Sequence, residues 1–333
     1  MEHTLHIGSL ALRSGQVLPS VDVAYVCHGR LDADGGNAIL VTHGFTSGPS
    51  MLTPGHLVAE GSWAQLLGPG KPFDTERYFV LCSNMLGSSF GTTGPRSLNP
   101  ATGKPWGPEF PDITLEDIVE VQHRLLHALG VRRLRAVIGP SYGGWQALQW
   151  ALDHPDMVDA IGALVSDFKH PPGVSKESQR AKFALNPEWH GGWHYERGGM
   201  YETLFEQRWR TLQSYGLHQL YEDRYPDPQR RLEAMQAPCR KWAARFDPNS
   251  LVVLAGAAER FDVRARVEEI CARVFLLQCS TDQVFPPSAE ARQLLARIRA
   301  PTRYVELDSP YGHMASGTDI ARWQPELGWL LAS

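Results

Sequence analysis

Ile138-Gly139-Pro140-Ser141-Tyr142-Gly143-Gly144-Trp145 is the stretch that decides the fold. An apolar run over residues 134–138 leads into Gly139-Pro140-Ser141-Tyr142-Gly143, which has the G-x-S-x-G spacing of a serine on a tight, strained strand-to-helix turn. Small residues on both sides let the backbone fold back sharply, so that the Ser141 hydroxyl projects clear of a sheet. Residues 144–152 then carry apolar positions at helical spacing, with no breaker beyond the opening glycines. A helix starting here aims its N-terminal amides at charge developing near the serine oxygen. Ser141 is therefore the candidate nucleophile, and a plain loop serine is the alternative.

On either side of it, Ala38-Ile39-Leu40-Val41-Thr42 and Tyr78-Phe79-Val80-Leu81-Cys82 are short continuous apolar runs, residues 159–165 and 274–279 read as further buried strands, and residues 304–307 as the last strand. Such runs suit strands buried on both faces, as parallel sheets require. Residues 115–129 place Leu115, Ile118, Val119, Leu125, Leu126 and Leu129 near helical spacing, and Gly130 stops that helix. Alternating patterns over residues 5–12 and 21–26 predict antiparallel strands at one edge. Strands alternating with helices predict an α/β fold with a doubly wound, mostly parallel sheet. Residues 168–266 break the rhythm. They are read as a helical cap over the strand C-termini, where open α/β sheets place their sites. The chain then divides into core (1–167), cap (168–266) and core (267–333), the alternative being an independent second domain. Residues 92–111, rich in Gly, Pro, Asn and Thr, are expected to form a long ordered functional loop.

An activated serine needs a base, and the base needs an orienting carboxylate. In α/β-hydrolases the chain order is Ser, then Asp or Glu, then His. Asp282 follows the apolar run at 274–279, and His313 follows the run at 304–307 in Tyr311-Gly312-His313-Met314. Each candidate thus ends its own strand. Asp308 competes for the acid role but shares a loop with His313. One oxyanion-hole N–H is expected from Tyr142 and a second from Phe45 in His43-Gly44-Phe45-Thr46, with Thr46 as the alternative donor. His43 is read as shaping that loop. His190 and His194 flank a glycine pair that undermines a helical metal site, so no metal is implied.

Composition bounds the rest. At 333 residues and 43% hydrophobic content the chain can bury a large core. The 32 basic and 36 acidic residues give a net charge of -4 without a basic stripe, which argues against nucleic acid as a partner. No apolar run approaches the roughly 18 residues of a membrane span, and no secretory leader is visible at the start. The five cysteines are scattered without C-x-x-C spacing and read as small buried hydrophobes in a reducing compartment. A cytoplasmic enzyme is expected.

Longer motifs resemble the homoserine O-acetyltransferases of the α/β-hydrolase superfamily. They include Asn84-Met85-Leu86-Gly87-Ser88-Ser89-Phe90-Gly91-Thr92-Thr93-Gly94-Pro95, Asn186-Pro187-Glu188-Trp189 and Phe246-Asp247-Pro248-Asn249-Ser250. Asp282 followed by Phe285-Pro286-Pro287 is similar to the family's acid loop, and the likeness spans residues 36–320. The resemblance implies a ping-pong reaction. Serine takes an acyl group from acetyl-CoA or another acyl-CoA and passes it to the hydroxyl of a small acceptor such as an amino acid; no bound cofactor is implied. It also implies a cap arginine for the acceptor carboxylate, here Arg208 or Arg210, and a homodimer through the cap, which carries Trp189, Trp193, Trp209 and Trp242. Where the family has an aspartate after the catalytic histidine, this chain has Met314. A buried ammonium without that partner loses a charge-assisted hydrogen bond worth about 1.5–3 kcal/mol, roughly tenfold to a hundredfold in affinity. An ester or thioester hydrolase with the same triad is the competing expectation.

Overall fold

In the computed structural model, residues 2–54 and 60–332 are described. The strands are β1 (Glu2–His6), β2 (Leu10–Ala11), β3 (Val17–Leu18), β4 (Asp22–His28), β5 (Ala38–Val41), β6 (Phe79–Ser83), β7 (Leu134–Pro140), β8 (Ala160–Leu164), β9 (Arg273–Cys279) and β10 (Thr302–Leu307). Eight of them form one sheet in the order β1-β4-β6-β5-β7-β8-β9-β10. The pairs from β6 through β10 are parallel, while β1 and β4 add an antiparallel edge. The chain is an α/β-hydrolase fold with a mostly parallel, doubly wound sheet, as the alternation of runs predicted.

The apolar runs are continuous because both faces of the sheet are covered. Leu40, Leu81, Val137 and Ile161 point into one core with the helices α1 (Leu115–Ala128) and α2 (Tyr142–Asp153). Ile39, Val80, Ile138 and Leu164 point into the other with Trp63 and Trp323. Burying each such side chain stabilises the fold by about 1.5–3 kcal/mol. The helix α1 begins at a capping box in which Thr114 and Asp117 satisfy each other's backbone N–H groups. It ends at Leu129, and Gly130 follows at a φ of 86°, which favours glycine.

One expectation for the N-terminal stretch needs correcting. Residues 10–18 do not extend the sheet edge but form a separate two-stranded ribbon, β2 with β3. Gly8, at a φ of 78°, turns the chain out of the sheet, so alternation persists while the partner changes.

Between β8 and β9 lie α3 (Lys176–Ala184), α4 (Tyr201–Ser214), α5 (Leu217–Arg224), α6 (Pro228–Ala243) and α7 (Pro248–Ala258). The helix α7 is buried along its whole length, and its Val253, Leu254, Ala257 and Ala258 belong to the same core as α1 and α2. Phe183, Trp189, Leu204, Trp242 and Phe246 make a smaller core within the insertion. The 92–111 loop is tied down at its start. Thr92 Oγ1 accepts from the Ala24 N–H and donates to the Asn84 carbonyl, and Arg96 reaches the Arg245 and Phe246 carbonyls. Cys82, Cys239 and Cys279 are buried and Cys27 partly so, as expected of small hydrophobes, whereas Cys271 is exposed. Among the described residues, no helix is long and apolar enough to cross a membrane.

Candidate active site

The turn after β7 is as tight as its glycines suggest. Ser141 adopts φ 56° and ψ -122°, a conformation costly for a residue with a side chain. A Cβ on Gly139 or on Gly143 would overlap the Thr42 carbonyl oxygen, so the backbone of β5 and the elbow can approach only without side chains. Thr42 Oγ1 closes the approach by donating to the Gly143 carbonyl at 2.8 Å. Tyr142 opens α2, so its N–H has no acceptor within the helix and is one of its free N-terminal donors. The Phe45 ring stacks on the Tyr142 ring at 5.7 Å, which brings the loop after β5 over the elbow.

That loop is held by a buried polar chain. Burial pushes the His43 imidazole down to about 4, so it is neutral at physiological pH. Its Nδ1 then donates to the Gly44 carbonyl at 2.9 Å, and its Nε2 accepts from the Met85 N–H at 3.2 Å. Gln146 on α2 donates to the His43 carbonyl at 3.0 Å. Gln122 donates to Gln146 and accepts from Trp150, both at 2.7 Å. His43 shapes the loop, as read from its position.

At the strand ends of β9 and β10, His313 Nδ1 lies 2.9 Å from Asp282 Oδ2. Asp282 is buried, and its other oxygen accepts from the Val284 N–H at 2.7 Å and the Phe285 N–H at 3.3 Å. This carboxylate fixes the proton on Nδ1 and leaves Nε2 as the free basic nitrogen. Asp308 is exposed, with Ser280 as its hydroxyl donor, and does not reach the imidazole. Ser141 and His313 line one narrow inner pocket with Phe45, Thr46 and Glu60. Tyr215 lies against His313 with ring centroids 4.5 Å apart. The pocket opens beside a cavity of about 680 Å³ under the insertion, bounded by Ser141, Tyr142, Arg208 and Trp242 among others.

The three substrate-binding candidates part company. Arg208 is 3% exposed and points into the site, where it meets Glu60 and Thr46. Arg210 lies two residues further along α4, turned by about 200°. Its side chain is 81% exposed at the cavity rim, 3.8 Å from Glu206. Met314 is a correction to its expected place. It is fully buried with Leu212, Leu217, Leu220, Met235 and Cys239, and it lines neither the inner pocket nor the larger cavity. Consecutive residues of the tight helical turn at Gly312–Met314 point about 120° apart, so when His313 faces Ser141 its neighbour faces the insertion.

Sequence reading missed Glu60, Tyr215 and the role of Trp242. Glu60 lies in a loop with no periodicity or motif to mark it. Glu120, His123 and His154 offer ligand atoms within 4.8 Å of one another. The two imidazoles stack at 4.1 Å with planes 22° apart, which aims their lone pairs poorly at a shared ion, and His154 closes α2 at the end opposite Ser141. His190 and His194 instead face Glu188 and Asp247.

Comparison with known proteins agrees with this fold. Residues 37–319 match the family described as the alpha/beta hydrolase fold. A homoserine O-acetyltransferase from Moorella thermoacetica is 38% identical over 92% of this chain and 89% of its own length. The crystal structure of homoserine O-acetyltransferase from Bacillus anthracis is 25% identical with a TM-score of 0.87, covering 100% of this chain and 98% of that one. Esterase E22 shares the fold with a TM-score of 0.87 at 23% identity, covering 99% of each chain. The chain is an enzyme that belongs to the homoserine O-acetyltransferase-like family of the α/β-hydrolase superfamily.

Proposed function

We propose that the enzyme transfers an acyl group, through an acyl-serine intermediate, from an acyl-CoA such as acetyl-CoA to the hydroxyl of a small acceptor. The observation that carries this reading is the Asp282–His313 pair at 2.9 Å, with His313 and Ser141 lining one pocket. In the first half-reaction His313 Nε2 takes the Ser141 proton as Oγ attacks the acyl carbonyl. The carbon–sulfur bond breaks, and the imidazolium returns the proton to the departing thiolate. In the second, the acceptor hydroxyl gives its proton to Nε2 and attacks the acyl-serine; the ester leaves and Ser141 regains its proton. Tyr142 and Phe45 N–H groups serve the oxyanion in both, at the positive end of α2. The cavity under the insertion admits the donor and acceptor.

A hydrolase reading uses the same residues with water as acceptor. It is favoured by Glu60, which engages Arg208, the residue expected to hold an acceptor carboxylate, at 2.7 Å. The two are separated by acetyl-CoA turnover with a panel of alcohols and a water-only control, with acetyl-Ser141 sought by peptide mass spectrometry. Acyl transfer predicts that product ester appears and thiol release quickens with alcohol. Thiol release independent of every alcohol establishes hydrolysis instead. Ser141→Ala should lower kcat by several orders of magnitude while the fold persists; retention of more than a few per cent removes Ser141 from the mechanism.

The insertion also supports self-association. Among the described residues, the large exposed hydrophobic side chains Leu185, Trp193, Tyr201, Tyr225 and Leu232 lie on it, against Val17 and Leu98 elsewhere. Trp189 and Trp242, by contrast, are interior.

A further inference from the structure

A loop and the short helix Ala315–Thr318 approach closely to deliver Glu60. Gly61 takes a φ of 96°, and a Cβ on Gly317 would overlap the Glu60 carbonyl oxygen and Gly61 Cα. Trp63 Nε1 donates to the Ser316 carbonyl at 3.0 Å, holding this turn against the segment that follows His313. The Glu60 side chain then enters the pocket lined by Ser141 and His313. Arg208 Nη2 donates to Oε2 at 2.7 Å, and Thr46 Oγ1 donates to Oε1 at 3.1 Å. Thr46 Oγ1 itself accepts from Arg208 Nη1 at 2.7 Å, closing a ring of three side chains. Trp242 lies against the guanidinium, 5.2 Å from its carbon, and donates to the Thr46 carbonyl at 2.8 Å. Burial alone would raise the Glu60 carboxyl, but Arg208 outweighs it and holds the group below its ordinary value. Glu60 is therefore ionised at neutral pH and balances the guanidinium charge.

We propose that Glu60 is a specificity-determining residue that occupies Arg208 from within the protein, so that the pocket beside Ser141 and His313 takes uncharged acceptors, alcohols or water, and turns away those carrying a carboxylate. A bidentate carboxylate needs two parallel N–H groups of one guanidinium. Here Nη1 and Nη2 each already donate one N–H, Nε is buried without a partner among the described residues, and the N–H groups left over belong to a guanidinium whose charge Glu60 already balances. A substrate carboxylate beside Nε would face the Glu60 charge at close range. Displacing Glu60 instead would strand that carboxylate, partly buried, without its partner.

The proposal rests on the acyl-enzyme reading, and its test keeps the two apart. The enzyme is acetylated with p-nitrophenyl acetate, and transfer is followed to homoserine against 3-amino-1-propanol, and to 4-hydroxybutyrate against 1-propanol. Only the carboxylate differs within each pair. In wild type the carboxylate-bearing member should show kcat/KM lower by about tenfold or more. Glu60→Gln keeps the shape and removes the charge, and should narrow both ratios about tenfold; Glu60→Ala is the second variant should Gln fold poorly. Equal or better use of the carboxylate-bearing alcohols by wild type overturns the proposal, as do ratios unchanged in the variants, the outcome a merely structural Glu60 would give. If water alone takes the acetyl group, the variants decide: new transfer to 4-hydroxybutyrate supports the proposal and its absence overturns it. Failure of any acetyl adduct to form on Ser141 removes the acyl-enzyme reading, and the proposal falls with it.

Discussion

At the scale of single residues, the site turns on which carboxylate holds His313. Asp282 does so at 2.9 Å while Asp308 stays exposed. Asp282→Asn should therefore lower kcat severely, because an amide stabilises the wrong imidazole tautomer, whereas Asp308→Asn should change kcat little. Steady-state kinetics on both variants checks this, and the reverse ranking would reassign the acid. His43 gives a pH dependence. Its folded pKa is about 4 against 6.5 for an unperturbed imidazole. The unfolded chain therefore binds more protons between those values, and stability falls as pH drops from 6.5 to 4, by roughly 3 kcal/mol from this group. Urea midpoints across that window should decline, and less steeply in His43→Gln.

At the scale of elements, the β7–α2 turn is a place where backbone meets backbone. A Cβ on Gly143 would overlap the Thr42 carbonyl and crowd that of His43, and no flexible side chain is there to give way. Gly143→Ala should destabilise by about 1–3 kcal/mol and blunt the labelling of Ser141 by a fluorophosphonate. Gly328 sits in the short helix Glu326–Leu330 with open space around it. Gly328→Ala should be neutral or stabilising by up to about 1 kcal/mol. Chemical denaturation of the two variants separates the readings; similar losses in both would mean that Gly143 is not packed as described.

At the scale of the whole molecule, the insertion is fastened to the catalytic loops and faces solvent with apolar side chains. Met314 anchors the underside among residues of α4, α5 and α6, and Arg208 with Trp242 grips Thr46. The insertion exposes Leu185, 86% accessible at the rim of the cavity, and Trp193, 42% accessible. Aromatic anchors such as Trp193 carry much of the binding energy in protein interfaces, and an exposed leucine adds apolar area to bury. Light scattering at micromolar concentration should return the mass of a dimer, and Leu185→Glu should shift it toward monomer. A monomeric wild type would refute self-association through this face.

The sequence alone determined what is written in local pattern. Apolar runs marked the sheet because strands buried on both faces leave no alternation, and Gly139, Ser141 and Gly143 marked the elbow because that turn tolerates few other residues. Asp282 and His313 were legible for a related reason: each ends a recognisable strand, and the strand ends converge. Where pattern repeats with a different partner it misleads, as at residues 10–18, where alternation survives in a ribbon outside the main sheet. Which side chains face the pocket depends on how the elements pack in three dimensions. Arg208 and Arg210 are equivalent in sequence but are turned apart by the helix. Met314 neighbours His313 in the chain yet packs under the insertion, because one step along a tight turn redirects a side chain. Glu60 reaches Arg208 from 148 residues away through a loop that carries no periodicity at all. Contacts of that separation depend on how packed elements converge, which no local pattern encodes.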